Sequence, residues 1–440
     1  MTSAATAPSA PTRLTRALTA LATRPWPLFA ALGLVMVAVT LVTPDTLVER
    51  SDEGVFLGYA ERLTEGDYAL EGGLDVELLW FGPALPLLLA PLVELGLPVE
   101  VLRLVGPLLL TLALLAFHRL LRQYVGPVAA IAGTAALGLY FPLYRLLPRL
   151  YTEPLAILLF VLAMLAGARG VRDGGLRWLA VAGACLGGLA LTRLEYGTVL
   201  AIALAVCLAA LAVPSWRVTA RRGAAIFAVS LAVCVPWLAY TYDVTGEPFY
   251  WGNSGGLSLY WMAPDDPRDL GEPHPVHEVF ANPDLAHHRP FFRSIESLGP
   301  VEHNEALQEE ATERISDDPL GYGARVAANF SRLWFRAPFS YEGIGVKTLF
   351  YAVPGAILLA ALALACWRLL RRRAQLPREL APFLLVAAGG FGVHLLAAGY
   401  PRSIAPLVPV MVLLIVLAAA RPPLKGAGSR PRNEKSESPA

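Results

Sequence analysis

Two adjacent carboxylates, Asp52 and Glu53, follow the first strongly apolar stretch of the chain, and further charges stand at the ends of later apolar stretches: Arg145, Arg149 and Glu153, then Arg193 and Glu195, then Arg402. A carboxylate at such a depth can take a proton from a hydroxyl, and several guanidinium forks together suit a phosphate. An ionised side chain at a bilayer centre costs about 2.5–3.5 kcal/mol on insertion scales, so charges collected at membrane boundaries call for a reason. Each also has a purely structural explanation. Acids in a first helical turn complement the helix dipole by about 0.3–1 kcal/mol. Thr152 and Pro154 around Glu153 are ordinary helix-start residues. Arg193 and Glu195 can neutralise each other across a tight turn, and single arginines snorkel to headgroups.

The elements that would position these residues are membrane helices. At 55% hydrophobic and 16% charged residues over 440 positions, the chain is far more apolar than a soluble domain. Its net charge of +1 offers nothing to a nucleic acid, and Cys185, Cys207, Cys234 and Cys366 all lie inside apolar runs, where no extracellular disulfide framework forms. Apolar runs cover 27–43, 101–117, 127–143, 155–168, 178–191, 198–213, 224–240, 349–367, 380–398 and 404–420. Arginines gather at alternate connections, which places those connections in the cytoplasm and the acids and arginines of the first paragraph on the outer side. The run 81–95 is short and broken by Pro83, Pro86 and Pro91, so it reads as a dipping segment as readily as a span.

These patterns predict an all-α polytopic membrane protein with about ten transmembrane helices, both termini cytoplasmic, outer-face juxtamembrane helices and one long extracytoplasmic loop. The membrane domain covers 27–420, with outer loops at 45–98 and 243–346, and the stretches 1–26 and 421–440 read as disordered cytoplasmic tails. No cleaved signal peptide is expected. Phe56, Tyr59, Ala60 and Leu63 recur at helical spacing opposite Glu61, Arg62 and Glu65, which predicts a surface helix over 54–65. The long loop should hold amphipathic helices at 302–315 and 322–335.

That loop also carries Tyr250, Trp251, Asn253 and Trp261, residues able to stack on and hydrogen-bond to a sugar, or simply to anchor an interface. His274, His277, His287, His288 and His303 show no metal-ligand spacing, so no metal site is assigned. Asn329-Phe330-Ser331 matches a glycosylation acceptor, a pattern too common to use.

In combination these features resemble the GT-C superfamily of integral-membrane glycosyltransferases, in particular its protein O-mannosyltransferase and aminoarabinose-transferase branch. The resemblance rests on Asp52-Glu53 ahead of Tyr59-Ala60, the segment 81–87, Thr152-Glu153-Pro154, the run 189–193, Thr245-Gly246-Glu247-Pro248 leading into Asn253-Ser254-Gly255-Gly256, and Arg402 ahead of Pro406 and Pro409. It implies transfer of a sugar from a polyprenyl phosphate to an acceptor hydroxyl of a glycan, lipid or protein, at the outer face of a bacterial cytoplasmic membrane. It further implies an inverting single displacement with Asp52 as base and Glu53 orienting it or the acceptor. Arg193, Arg402, Arg149 and Arg145 would bind the donor phosphate, Glu153 and Glu195 would support them, and Tyr250, Trp251, Asn253 and Trp261 would face acceptor or sugar. No cofactor is called for, and a divalent metal is left open. The rival reading is a transporter or flippase of an anionic lipid or polysaccharide precursor, which predicts related halves and charges at several depths. A scaffold subunit would leave the acids and arginines free to change.

Overall fold

The computed structural model describes residues 19–42, 51–66, 68, 79–266, 268–371 and 376–420. Most of both expected tails, and most of the loop between 43 and 78, lie outside the described residues. Among the described residues the regular structure is entirely helical.

Among the described residues, six helices are long and apolar enough to cross a membrane: Val99–Leu121, Glu153–Asp173, Arg217–Thr245, Val346–Arg371, Arg378–Leu396 and Pro401–Ala419. Shorter apolar helices, Trp26–Val42, Pro127–Gly138, Leu176–Thr192 and Glu195–Ala210, stand at the other expected spans. Ala84–Glu94 is a helix of 11 residues. At a rise of 1.5 Å per residue it reaches about 16 Å, roughly half of a ~30 Å hydrocarbon core, and it packs on the helix Asp52–Glu65. The chain is an integral membrane protein.

Glu153–Asp173 is the most buried of the six long helices and packs against its neighbours on several sides. Close approach comes from small residues. A Cβ at Gly183 would stand 2.7 Å from the Ile226 carbonyl oxygen, and one at Gly187 2.7 Å from that of Ser230, so Leu176–Thr192 lies backbone to backbone on Arg217–Thr245. Such small-residue seams are how helices associate in lipid, where apolar side chains gain little by leaving the hydrocarbon.

Between Arg217–Thr245 and Val346–Arg371 the chain builds a compact unit outside the core of the helical bundle, the outer unit, with its own core centred on Tyr260, Trp261, Phe292 and Leu307. The two amphipathic helices are there, as Pro300–Asp317 and Pro319–Phe335. The second ties this unit to the bundle. Its Asn329 is fully buried and donates to the carbonyls of His394, Leu395 and Ala397, closing the end of Arg378–Leu396. Asn329 therefore holds a helix end and offers no acceptor for a glycan.

Candidate functional site

The helix Asp52–Glu65 begins at the acid pair, with Ser51 as its cap: the Ser51 hydroxyl accepts from the Gly54 N–H at 3.4 Å. Consecutive helical residues point about 100° apart, so the two acids part company. Glu53 turns inward and is 1% exposed. Arg103 donates to it through Nε at 2.8 Å and Nη2 at 2.7 Å, and the Leu150 N–H adds a third bond at 3.0 Å. The expectation that Glu53 orients Asp52 or the acceptor directly is not met by this placement, because both carboxylate oxygens are committed to the interior.

Asp52 turns the other way. Its Oδ2 lies 2.5 Å from Arg402 Nη2. Arg402 Nε stands 3.8 Å from Glu153 Oε1, which Arg193 Nη1 approaches at 3.2 Å. Arg193 Nε then donates to Glu195 Oε1 at 2.8 Å, and His394 Nε2 lies 3.4 Å from that same oxygen. Asp52, Arg402, Glu153, Arg193, Glu195 and His394 thus form one continuous chain of ionisable side chains drawn from six separate helices or helix ends.

Exposure is lowest in the middle of this chain and rises towards Asp52 on one side and towards Glu195, 26% exposed, on the other. The Asp52 and Arg402 side chains are 32% and 30% exposed, whereas those of Arg193 and Glu153 are 13% and 3%. The opposite-charge pair of Asp52 and Arg402 is about one-third exposed, and behind it the buried Glu153 carboxylate faces two guanidinium groups. Glu153 Oε2 has no hydrogen-bond partner among the described residues. Thr152, expected to cap the helix that Glu153 opens, makes no capping bond through its side chain. Helix-start chemistry alone therefore does not account for an acid here, although Pro154 does occupy the first turn.

The remaining residues divide. Arg402 also lies over the rings of Tyr151, at 4.8 Å, and Tyr400, at 5.8 Å. Burial pushes the Tyr151 phenol above its ordinary pKa, with Arg402, Asp52, Arg149 and Glu153 all near enough to act on it, so Arg149 belongs to the same electrostatic neighbourhood. Arg145 is exposed on the 3-10 turn Phe141–Leu146, outside the ion-pair chain. Trp251 lies on the turn that carries Arg193 and Glu195. A Cβ at Gly197 would stand 2.3 Å from its ring, and its carbonyl accepts from the Trp237 indole at 3.1 Å. Asn253 is buried beside it and Tyr250 half-buried. Burial, with Glu305, Glu302 and Glu247 nearby, pushes the Tyr250 phenol up to about 12. Trp261 is instead a core residue, 2% exposed, with its indole N–H given to the His274 carbonyl at 2.9 Å; it has no face to offer a sugar.

Two participants were missed in the sequence, Arg103 and His394. Both are ionisable residues inside apolar runs, and that alone marks them. A third grouping, Asp269 with His287 and His288, was invisible as a spacing because 18 and 19 residues separate its members.

No family model and no curated protein matches the sequence. Solved structures do. The apo crystal structure of the Archaeoglobus fulgidus oligosaccharyltransferase aligns at a TM-score of 0.52 with 15% identity, over 89% of this chain and 50% of that one. AglB from the same organism, in complex with an inhibitory peptide and a dolichol-phosphate, aligns at 0.50 with 15% identity over the same shares. The chain shares its helical membrane fold with these structures. It spans about half the length of those structures, and at this identity the likeness concerns fold alone. A looser similarity, TM-score 0.40 at 18% identity over 86% of this chain and 77% of the other, is to ArnT from Cupriavidus metallidurans bound to undecaprenyl phosphate, and no argument rests on it.

Proposed function

We propose that this protein is a GT-C-like glycosyltransferase that moves a sugar from a polyprenyl-phosphate donor to an acceptor hydroxyl on the outer face of its membrane. The observation that carries the reading is the half-open pair of Asp52 and Arg402 at 2.5 Å, backed by buried Glu153 and Arg193. A lipid phosphate reaching this pair competes with Asp52 for the Arg402 guanidinium. Binding of the donor then frees the carboxylate that the reaction needs.

In the step that follows, the acceptor hydroxyl gives its proton to Asp52 as its oxygen bonds to the anomeric carbon, and the bond from that carbon to the phosphate oxygen breaks. Polyprenyl phosphate leaves with that electron pair, and the anomeric centre inverts. Phosphate departs without a general acid, so one base suffices. Arg402, Arg193 and Arg149 stabilise the charge that grows on the leaving phosphate, with Arg145 at the rim. Glu153 and Glu195 hold the two central guanidinium groups in place. Tyr250 and Trp251, half-buried beside the Arg193 turn, would meet the sugar or the acceptor, with Asn253, as buried as Trp261, supporting them from behind. Dolichol-phosphate and a peptide in the archaeal structure of the same fold lend support to a lipid-phosphate donor.

Asp52→Asn should lower sugar transfer in membranes supplied with lipid-linked sugar by at least ~100-fold, the low end of a general base's contribution. Full activity in that variant removes Asp52 from the mechanism. Lipid headgroup translocation without bond exchange would replace the transferase reading with a flippase.

A further inference from the structure

Far from the acid pair in sequence, Asp269 Oδ2 receives two imidazoles: His287 Nε2 at 2.8 Å and His288 Nε2 at 3.0 Å. These three ligand atoms all lie within 4.8 Å of one another, on the outer unit, with Asp269 and His288 buried and His287 at the surface. We propose that Asp269, His287 and His288 bind a divalent transition-metal ion, best matched by zinc, whose fourth position opens to solvent beside His287.

The donor set fits. Two imidazoles and a carboxylate suit zinc, whereas magnesium and calcium prefer all-oxygen sites. Ligand atoms around a tetrahedral zinc with bonds of about 2.0–2.1 Å stand about 3.3 Å apart, so the two Asp269–imidazole distances must open by a few tenths of an ångström and the two Nε2 atoms, within 4.8 Å of each other, must settle at that same spacing. The surroundings also orient the ligands. The Tyr341 hydroxyl binds the other Asp269 oxygen, and the Tyr260 hydroxyl meets His288 Nδ1 at 2.9 Å. In the ion-free protein both Nε2 atoms carry hydrogens and donate to Asp269. When the ion binds, each neutral imidazole shifts its proton from Nε2 to Nδ1 and offers a bare Nε2, and His288 then donates to Tyr260. No net proton needs to leave.

The location gives the ion a task. It would clip the 3-10 turn Pro283–His288 to the segment that begins at Asp269. That segment is anchored next door: Arg332 donates to the carbonyls of Leu270 and Gly271 at 2.6 Å each, and the Tyr400 hydroxyl to that of Pro273 at 2.7 Å. Tyr400 is two residues from Arg402, so a metal-braced segment would stiffen the turn that presents this arginine. The inference stands whether or not the bundle transfers sugar.

The test uses the full chain, untagged, purified in detergent, stripped with a chelator and titrated with Zn2+ or Co2+. The expected result is about one ion per chain, with the intense visible absorption of four-coordinate Co2+, displaced by Zn2+. His287→Ala, at the surface, should abolish this while the stripped protein keeps its melting curve, and Tyr260→Phe should weaken Zn2+ binding about 10–100-fold as an outer-shell loss. Equal metal content in wild type and His287→Ala, or no binding by the folded wild type, overturns the site and leaves a hydrogen-bonded triad only.

Discussion

Two neighbouring acids meet opposite fates, and the difference is measurable. Glu53 is enclosed with Arg103, so Glu53→Gln breaks a buried, hydrogen-bonded ion pair and should cost about 3–5 kcal/mol of stability. Asp52→Asn acts on a pair one-third open to solvent and should cost no more than about 1 kcal/mol. Thermal unfolding in detergent compares them; equal losses would mean that Asp52 is as structural as its neighbour. Asp52, Glu153, Arg193 and Arg402 were legible in the sequence because charge at the end of an apolar run is costly. The partner of Glu53 was not, since 50 residues and two turns of the chain separate it from Arg103. Trp261 misled for a related reason: a core aromatic and a sugar-facing one have the same composition, and only packing separates them.

Element by element, periodicity carried most of the fold. The helix Asp52–Glu65 and the two amphipathic helices of the loop follow from apolar spacing, which registers a buried face whatever lies against it. Spacing is silent on which elements touch. The turn bearing Arg193 and Glu195 is held down by Trp251, and the contact requires the missing Cβ of Gly197. Gly197→Ala should therefore cost about 1–3 kcal/mol by overpacking. It should also lower transfer by moving Arg193, whereas a melting curve matching wild type would show that Trp251 simply swings aside.

The outer unit adds an acid-sensitive joint. Ser340 gives its N–H and hydroxyl to Glu272 at 2.6 and 2.7 Å. Burial acts to raise the Glu272 pKa, but His274 and Ser340 outweigh it and hold the group below its ordinary value. A carboxylate depressed by folding lends stability that is present above its unfolded pKa of about 4.3 and fades as pH falls through the lower folded value. Hydrogen exchange at the Ser340 amide, corrected for intrinsic rate, should thus quicken below about pH 4 in wild type. A Glu272→Gln variant should exchange faster at neutral pH and lack this acid step; identical profiles would refute the joint.

At the scale of the whole molecule, charge is sorted to two ends. Arg119 and Arg122 follow one apolar helix, Arg169, Arg172 and Arg177 lie between the next pair, Arg217, Arg221 and Arg222 open another, and Arg368 and Arg371 close the long one after the outer unit. The paired arginines, Arg193 and Arg402, stand at the opposite end with Asp52 and Glu153. Positive charge in excess is retained on the cytoplasmic side, so the ion-pair chain and the outer unit should face outward. The four native cysteines all lie in apolar helices, and a variant lacking them provides a clean background. On it, Ala286→Cys at the exposed surface of the outer unit should react with a membrane-impermeant maleimide in intact cells, and Asp173→Cys, exposed at the arginine-rich end, only after permeabilisation. The reverse pattern would invert the protein, expose the site to the cytoplasm and require a donor presented on that side.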